Sequence, residues 1–193
     1  MAKQQVRKAE TQKSLLSAAS RSFRSKGYAG VGVDGIARAA GATSGAFYSH
    51  LGSKDGAFLA ALEQGLDEVI ETVPDYQRRY SSSWPEAFAR YYLGSTHRRD
   101  LACGCAMTAL SPDVVRSNDE TREIYEHKMK TIAELIAEGL EGESDDEKLK
   151  KAWAFLSILI GALTTSRAMA SEDQADAVAS AAFASAMTVV GQD

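Results

Sequence analysis

Residues 33–54 read VDGIARAAGATSGAFYSHLGSK, and this stretch decides the fold. Gly41 separates two short segments with helical spacing of apolar residues, and it permits a sharp turn between them. Thr43 can cap the second segment, while Gly45 and Ala46 keep its first turn slim. This is the spacing of a helix-turn-helix, whose second helix can enter a DNA major groove. Corners between helices are common in helical proteins, so an ordinary corner is the alternative.

The rest of the chain has residues typical of helix starts and helix ends, and it has almost no pattern typical of strands. Leu15, Ala19 and Phe23 recur every four residues, and Gly27 ends that first helix. The pattern predicts an all-α protein of about nine helices. Their approximate ranges are 9–26, 33–40, 43–51, a long helix from 54 that ends before Pro74, 83–97, 102–116, 118–139, 149–170 and 171–190. Three of these starts are predicted as capping boxes or first-turn caps, at Ser83, Ser144 and Ser171.

Composition and length exclude several classes of protein. The chain has 193 residues, of which 45% are hydrophobic and 25% charged, which is typical of a globular protein. A membrane span needs about 18 uninterrupted apolar residues, whereas the longest apolar run, residues 152–163, is shorter and contains a serine. Two cysteines are too few for a disulfide framework. We therefore expect a reduced, cytoplasmic protein without a membrane partner.

The charge is divided unevenly along the chain. Residues 1–60 carry nine Lys/Arg against three Asp/Glu, whereas the whole chain has a net charge of −4. The first segment is therefore strongly basic and the remainder acidic. A basic head on an acidic body suggests a nucleic-acid-binding module joined to a second domain, and the alternative is a chance cluster of solvated charges.

Further residues at fixed offsets strengthen the helix-turn-helix prediction. They are Gly27-Tyr28, residues 33–41, residues 43–50 and Gly52-Ser53-Lys54-Asp55. The pattern closely resembles the DNA-binding domain of TetR/AcrR-type transcriptional regulators over about residues 8–68. The resemblance implies an all-α homodimer with a three-helix DNA-binding domain over residues 8–68. It also implies a larger C-terminal domain over residues 69–193 that holds an inducer pocket and the dimer interface. Double-stranded operator DNA and a small-molecule effector are the implied partners.

The resemblance also implies roles for individual residues of the helix-turn-helix. Ser44 and Ala46 are similar in position to base-facing residues, and Thr43 to a residue that both caps the helix and donates to phosphate. Gly45 lies between them in the same first turn. Because Ser44 and Ala46 are small, DNA shape is expected to contribute to recognition.

Four further residues are expected to contact the DNA backbone or lie beside it. By position, Tyr48 and His50 resemble a phosphate-contacting pair, and Lys54 resembles the cation at the start of the fourth helix. Arg38 is a further candidate, although Arg38 and Lys54 could be ordinary surface charges and Tyr48 could simply pack. Gly32 departs from the family, which usually has Thr or Ser at this point; Gly32 can begin a helix but offers no hydroxyl to phosphate.

The last two helices are candidates for the dimer interface. The first has an apolar face that consists of Trp153, Leu156, Leu159, Ile160 and Leu163. The second has small apolar residues at i, i+3, i+4 spacing, namely Ala175, Val178, Ala179, Ala182, Phe183, Ala186 and Val190. A two-fold partner on these faces would also place two recognition helices one DNA turn apart. The alternative is that both faces belong to the core of a single chain.

Aromatic residues and methionines of the second half are candidates for an effector pocket. The candidate lining residues are Trp84, Phe88, Tyr91, Tyr92, Met107, Tyr125 and Met129. A stripe of such residues at helical spacing also suits a core, so both interpretations stay open.

Cys103 and Cys105 flank a glycine at the predicted start of a helix. A cysteine at a helix N-terminus has a lowered pKa, so oxidants or electrophiles could modify it. The pair could also bind a soft metal, with His97 or His127 as a distant third ligand. The third interpretation is that both are small packing residues.

The function that these observations favour is a ligand-responsive transcriptional regulator, most simply a repressor. No enzyme is expected, because the chain has no Gly-rich phosphate loop, no HExxH and no Gly-x-Ser-x-Gly. No cofactor is expected either. The rival hypothesis is a thiol- or metal-sensing helical protein that acts through Cys103 and Cys105 without DNA.

Overall fold

A computed structural model of the chain describes residues 2–191, with side chains from residue 5 onward. Within these residues the fold is entirely helical, as predicted. The helices are α1 (Ala2–Lys26), α2 (Val33–Ala39), α3 (Ser44–Leu51), α4 (Lys54–Tyr80), α5 (Trp84–Leu93), α6 (Ser95–Arg99), α7 (Ala106–Val114), α8 (Asp119–Glu138), α9 (Asp145–Ala168) and α10 (Glu172–Val190), with a 3-10 turn at Ser81–Ser83. Among the same residues, no helix combines the length and apolar character needed to cross a lipid bilayer.

The described part of the chain has one helix more than the predicted nine because the fifth predicted helix is broken. Gly94 adopts an extended conformation with ψ 150°, which ends α5 and starts α6. The predicted cap at Ser83 is also wrong, since the Ser83 side chain makes no capping bond and its hydroxyl instead donates to the Tyr80 carbonyl at 2.8 Å. A local sequence pattern therefore identified the start of α5 but not the bond that stabilises it.

The prediction that the fourth helix ends before Pro74 is wrong as well. Proline removes one N–H from the helix and disfavours a helical conformation in the residue before it. Here α4 nevertheless continues through Pro74 to Tyr80. Contacts on both sides of the proline hold the helix, because Val73 is fully buried and Gln77 Nε2 donates to the Leu135 carbonyl at 2.7 Å. Tertiary contacts have offset the cost of the proline.

Most other helix starts agree with the predicted caps. The Ser144 and Ser171 side chains accept from the N–H groups of Glu147 and Gln174, and Asn118 Oδ1 accepts from Thr121 N–H at 2.9 Å. Each bond satisfies a backbone donor that the first turn leaves without an intrahelical partner. The start of α9 lies at Asp145, directly after its cap, rather than at the first apolar residue.

The chain divides into two compact units. One is formed by the chain up to Gly65 together with Leu101–Arg122, and the other by Leu66–Asp100 and the chain from Glu123 onward. The segment 101–122 belongs to the first unit because α7 is bonded to α1: Arg24 Nη1 donates to the Gly104 carbonyl at 3.0 Å, and Tyr28 N–H donates to Asp113 at 2.8 Å. The functional division into residues 8–68 and 69–193 stays a prediction.

The first unit has an apolar core built mainly from α1, α3 and α4. The predicted face of α1 is fully buried at Leu15, Ala19 and Phe23. Ile36 of α2 and Phe47 of α3 are fully buried in the same unit. Full burial of such a side chain stabilises a fold by roughly 1.5–3 kcal/mol, so these residues fix α2 and α3 against α1.

The second unit is built around aromatic rings. The Trp84 and Phe88 rings lie 6.3 Å and 6.4 Å from the Phe155 ring. Trp84 Nε1 donates to the Gly139 carbonyl at 2.8 Å, so the polar edge of this buried ring is satisfied. The rings therefore join α5 to α9 and to the end of α8.

Candidate DNA-binding face

The turn between α2 and α3 forms as the sequence predicts. Gly41 has a φ of +66°, a conformation that glycine adopts without strain, and Ala42 N–H donates to the Ala37 carbonyl at 2.9 Å. Thr43 is the N-cap of α3, where its Oγ1 accepts from Ala46 N–H at 3.1 Å. Because that bond uses a lone pair, the Thr43 hydroxyl proton is still able to bind a phosphate oxygen.

Ser44, the first residue of α3, is bonded to a residue that the sequence analysis left without a role. Its hydroxyl donates to Asp34 Oδ1 at 2.5 Å, and Asp34 lies exposed in the first turn of α2. The two helices of the motif are therefore linked by a polar bond at the end where α3 begins. Residues ten apart in sequence gave no pattern that predicts this bond.

Two small residues follow in the first turn of α3. Gly45 is exposed and Ala46 is half-buried, and neither residue has a polar side chain. A Cβ at Gly45 would meet only the Thr43 side chain, at 3.8 Å. This end of the helix is slim, as the sequence predicts.

Tyr48 and Phe47 divide α3 into an outer and an inner face. Tyr48 is 54% exposed, whereas Phe47 is fully buried. Their rings meet edge to face, with centroids 5.6 Å apart. The Tyr48 hydroxyl thus extends from a ring that the core supports from one side, which is a suitable arrangement for contact with a phosphate.

Lys54, the first residue of α4, lies over an aromatic ring. Its Nζ is 4.1 Å from the centroid of Tyr28, and the Tyr28 hydroxyl donates to Asp55. That hydrogen bond, with burial and the negative charge of Asp55, raises the pKa of Tyr28 to about 12. The Phe23 and Phe58 rings pack against Tyr28. Tyr28 was part of the sequence pattern, but its function as a support for Lys54 was missed.

The remaining two candidates differ in accessibility. Arg38 is exposed near the end of α2. His50 is half-buried, and its Nδ1 is buried without a hydrogen-bond partner within the described residues. A contact from this ring to phosphate would therefore use Nε2.

Gly32 is the N-cap of α2 and is exposed. Its φ of −103° and ψ of 153° are open to any residue, and a Cβ there would meet nothing within 4 Å. A serine or threonine would therefore fit at this position, and the capping hydroxyl is absent only because the residue is glycine.

Comparison with known proteins agrees with this geometry. Residues 15–61 match the family described as bacterial regulatory proteins, tetR family. Over these residues the chain carries a TetR-type domain. The matched residues span α1, α2, α3 and the start of α4, which are the elements that carry the candidate DNA contacts.

Solved structures of TetR-family regulators share the fold of the chain. The reduced form of NemR from E. coli has a TM-score of 0.78 at 16% identity, with 95% of this chain and 98% of that chain covered. A TetR-family regulator from Cytophaga hutchinsonii has a TM-score of 0.77 at 17% identity, with 96% and 95% covered. FadR from Bacillus subtilis, in complex with stearoyl-CoA, has a TM-score of 0.70 at 14% identity, with 94% and 98% covered. By sequence alone, no curated protein matches the chain.

The predicted pocket residues do not form one group. Trp84, Phe88 and Tyr92 are each 2% exposed and pack ring against ring, which favours the core interpretation. Met107 is fully buried in the first unit, and Tyr91 is 53% exposed. Tyr125 and Met129 do line a cavity.

That cavity lies between α8 and α9 and has a volume of about 640 Å³. Its lining residues are Tyr125, Glu126, Met129, Lys130, Leu149, Trp153, Leu156, Ser157, Ile160 and Gly161. The walls are mostly apolar, and the charged residues come from α8. Trp153, which the sequence analysis placed on the candidate dimer face, is part of this wall and is 38% exposed.

The apolar faces predicted for the dimer interface are largely internal. Leu156, Leu159 and Leu163 of α9 are at most 1% exposed. On α10, Ala175, Ala179, Ala186 and Val190 are buried as well. These residues occupy the faces on which α9 and α10 pack within the chain, so the alternative of an internal core holds for them. A partner would have to meet the opposite faces.

Those opposite faces are exposed and uncharged. From Ala152 to Ser166 and from Ala177 to Val190 the sequence has no charged residue. The exposed residues there include Trp153, Ser157, Gly161 and Thr164 on α9 and Ala177, Ala181, Ala184 and Thr188 on α10. The last four recur at spacings of three or four residues, which places them on one side of α10.

Both cysteines lie at the start of α7, and neither forms a disulfide within the part of the chain that the structure describes. Cys103 is exposed, and Cys105 is buried as the N-cap of the helix. Arg24 holds the backbone here, since its Nη1 donates to the Cys103 carbonyl at 3.3 Å and to the Gly104 carbonyl at 3.0 Å. Among the described residues no group of three or more His, Cys, Asp or Glu side chains could hold a metal ion, so the proposed metal pair with His97 or His127 is not supported.

Proposed function

We propose that this TetR-family protein is a transcriptional repressor that binds operator DNA as a homodimer and dissociates on a chemical signal. The observation that carries the proposal is the capped, slim and exposed N-terminal end of α3, flanked by Tyr48 and Lys54. A recognition helix reads bases through its N-terminal residues, while neighbouring hydroxyls and cations fix its position on the phosphates.

In this proposal the contacts fall into two groups. Ser44 and Ala46, with Gly45 between them, face the bases. The phosphate contacts come from Thr43, Tyr48, His50 Nε2, Lys54 and Arg38.

Fluorescence anisotropy tests DNA binding directly. The probe is a labelled duplex from upstream of the protein's own gene, titrated at several salt concentrations with the thiols kept reduced. The logarithm of the affinity is expected to fall linearly with the logarithm of salt, with a slope of about −0.9 for each phosphate neutralised. Tyr48→Ala should weaken binding, whereas Tyr80→Ala, at a 41% exposed tyrosine of the second unit, should not. Affinity without a salt slope would favour a sensor that acts without DNA.

The homodimer is proposed to form through the last two helices, on the exposed face of α10 and at Thr164 of α9, because Trp153, Ser157 and Gly161 of α9 line the cavity. Their uncharged, small residues allow close packing of a second copy, and two-fold symmetry would pair each face with itself. Ala181→Glu would place a charge on the exposed face of α10. Analytical ultracentrifugation is expected to show a dimer for the wild type and a monomer for Ala181→Glu. Asp173→Ala, at the exposed start of the same helix, is the control.

The cavity between α8 and α9 is the proposed effector site. Its volume of about 640 Å³ lies within the range of small-molecule pockets, and Tyr125 and Met129 offer apolar and aromatic surface. FadR was solved with stearoyl-CoA, so at least one protein of this fold holds an acyl ligand. Effector binding would shift α4 and separate the recognition helices, provided that the effector binds the two states with different affinities. An unchanged distance between the two Tyr48 residues of a dimer, with and without effector, would contradict this mechanism.

A thiol signal is a second candidate, favoured by the exposed Cys103. NemR, which shares the fold, was solved in a form described as reduced. In the anisotropy assay, one sample is kept reduced and the other is treated with diamide, which takes up two hydrogens as two thiols form a disulfide. Release by diamide and recovery with dithiothreitol would identify a thiol sensor, and Cys103→Ser and Cys105→Ser would show which thiol is needed. Equal binding in both samples would leave the cysteines as packing residues.

A further inference from the structure

Asp34 and Ser44 form a pair that exposes hydrogen-bond acceptors only. The single hydroxyl proton of Ser44 is directed to Asp34 Oδ1 at 2.5 Å. What remains available is the second carboxylate oxygen of Asp34 and the lone pairs of Ser44. Asp34 makes no ion pair with any residue that the structure describes, so its charge is not neutralised by a neighbour.

The surroundings of the pair are open and nearly without competing polar groups. Gly45 and Ala46 follow Ser44 in the first turn of α3 and have no polar side chain. A Cβ at Gly32 or at Gly35, the two glycines that flank the first turn of α2, would meet nothing within 4 Å. A base edge can therefore reach this acceptor pair without displacing a side chain.

We propose that Asp34, held in place by Ser44, is a specificity-determining residue that accepts a hydrogen bond from the N4 amino group of a cytosine in the operator. The inference rests on the proposed function and deepens it, since it names the base that the recognition helix selects. Asp34 acts on the base, and Ser44 is a positioning residue for it.

The chemistry of the base edges explains why cytosine is selected. In the major groove guanine presents two acceptors, N7 and O6, and thymine presents the acceptor O4. An acceptor pair repels both. Adenine presents its N6 donor between two acceptors, its own N7 and O4 of the paired thymine, whereas the cytosine N4 donor has an acceptor, O6 of the paired guanine, on one side only. A carboxylate beside a hydroxyl lone pair therefore matches cytosine best.

The negative charge of Asp34 lowers the affinity for DNA, and this effect allows a base-reading role to be distinguished from a purely structural one. A carboxylate near the phosphates repels DNA of every sequence. If Asp34 reads a base, its removal should raise the affinity for random DNA and at the same time abolish discrimination at one position. If Asp34 only links α2 to α3, its removal should raise the affinity for every sequence equally and leave the base preference unchanged.

The test is selection from a pool of randomised duplexes with the full-length protein, followed by anisotropy on single-base variants of the selected site. The wild type is expected to select a cytosine at one position of each half-site, and its replacement by guanine should weaken binding by about 5-fold or more. Asp34→Asn, which adds an N–H donor, should shift the preference at that position toward adenine and raise the affinity for random duplex. Ser44→Ala should weaken the preference without reversing it.

Two controls separate the outcomes. Glu10→Gln removes a negative charge from an exposed position of α1 and should leave the base preference unchanged. Circular dichroism should show that both variants of the pair remain folded. If Asp34→Asn selects the same base as the wild type, or raises the affinity for every sequence equally, the inference is wrong while the proposed function stands. If the wild type enriches no sequence and shows no salt dependence, the proposed function fails first.

Discussion

One region of each compact unit, around α3 in the first and around α6 in the second, uses its charged and polar side chains differently. Around α3 the side chains are bonded in exposed pairs, such as Ser44 with Asp34 and Lys54 with the ring of Tyr28. Around α6 Arg98 is only 8% exposed, pairs with Asp176 and donates to the Leu93 carbonyl at 2.8 Å. The charges around α3 stay accessible to a ligand, whereas the charge of Arg98 stabilises the fold.

Two further polar groups of the second unit, beside Arg98, are also used to stabilise the fold. Arg167 donates to the carbonyls of His97, Arg98 and Asp100 at 3.0–3.1 Å, so it stabilises the backbone around α6. Burial lowers the pKa of His97, although its Nδ1 bonds to the Tyr92 carbonyl at 2.7 Å. The charged groups around α6 therefore stabilise the fold, and the surfaces proposed for function in the second unit are the cavity between α8 and α9 and the exposed face of α10.

The largest expected effect is a loss of folding stability, which should differ between the buried and the exposed tryptophan of the second unit. Trp84→Ala removes a ring that is 2% exposed and the hydrogen bond to the Gly139 carbonyl, so the free energy of unfolding should fall by about 3–5 kcal/mol. Trp153→Ala, at a ring that is 38% exposed, should lower it by less than about 1 kcal/mol. Chemical unfolding followed by circular dichroism measures both. Equal losses would mean that the aromatic residues are not divided between core and surface.

Part of this division could be predicted from the sequence. Where a side chain bonds to a backbone group within three residues, as at Thr43, Ser144 and Ser171, the local pattern was sufficient. The helix-turn-helix was predictable for the same reason, since its turn and cap are local. Residues on a helical face look alike in sequence whether they meet another helix, a second copy or a ligand.

Long-range contacts account for what was missed. Gln77 bonds to the Leu135 carbonyl 58 positions away, and with that contact α4 continues past its proline. The contacts of Asp34 with Ser44 and of Tyr28 with Lys54 exist only in the folded chain, so the roles proposed for Asp34 and Tyr28 could not be predicted from the sequence. The charge imbalance of residues 1–60 indicated a basic segment but no individual residue.

A second prediction compares one arginine from each unit. Arg98→Ala removes a charged donor from a buried carbonyl and should lower the free energy of unfolding by about 1.5–3 kcal/mol. Arg38→Ala, at an exposed side chain of α2, should change it by less than about 0.5 kcal/mol. In the anisotropy assay, however, Arg38→Ala is expected to weaken operator binding. A large loss of stability in Arg38→Ala would contradict the proposed difference between the units.

A third prediction concerns the exposed cation of α4. Lys54→Ala should reduce the magnitude of the salt slope of operator binding by about 0.9 because one phosphate contact is lost. Tyr28→Leu removes the ring beneath the ammonium group and should weaken binding by a smaller factor, since a cation–π contact at an exposed site contributes about 0.5–1 kcal/mol. Lys150→Ala removes an exposed cation from the second unit and is the control. An equal slope for Lys54→Ala and Lys150→Ala would show that Lys54 does not meet phosphate.

The smallest expected effect comes from restoring the hydroxyl that α2 lacks. Gly32→Ser places a side chain at an N-cap whose φ and ψ suit serine and where no atom lies within 4 Å of the new Cβ. A serine in place of glycine at this position should raise the free energy of unfolding by only a few tenths of a kcal/mol. Its effect on DNA binding is more informative, since a hydroxyl that contacts phosphate should strengthen operator binding.

Gly35→Ala is the matched control. Its new Cβ also meets nothing within 4 Å, and it should stabilise α2 by roughly 0.5–1 kcal/mol without adding a polar group. If both variants strengthen binding equally, the gain comes from a firmer α2. If only Gly32→Ser does so, the start of α2 lies against the DNA backbone, next to the Asp34–Ser44 pair.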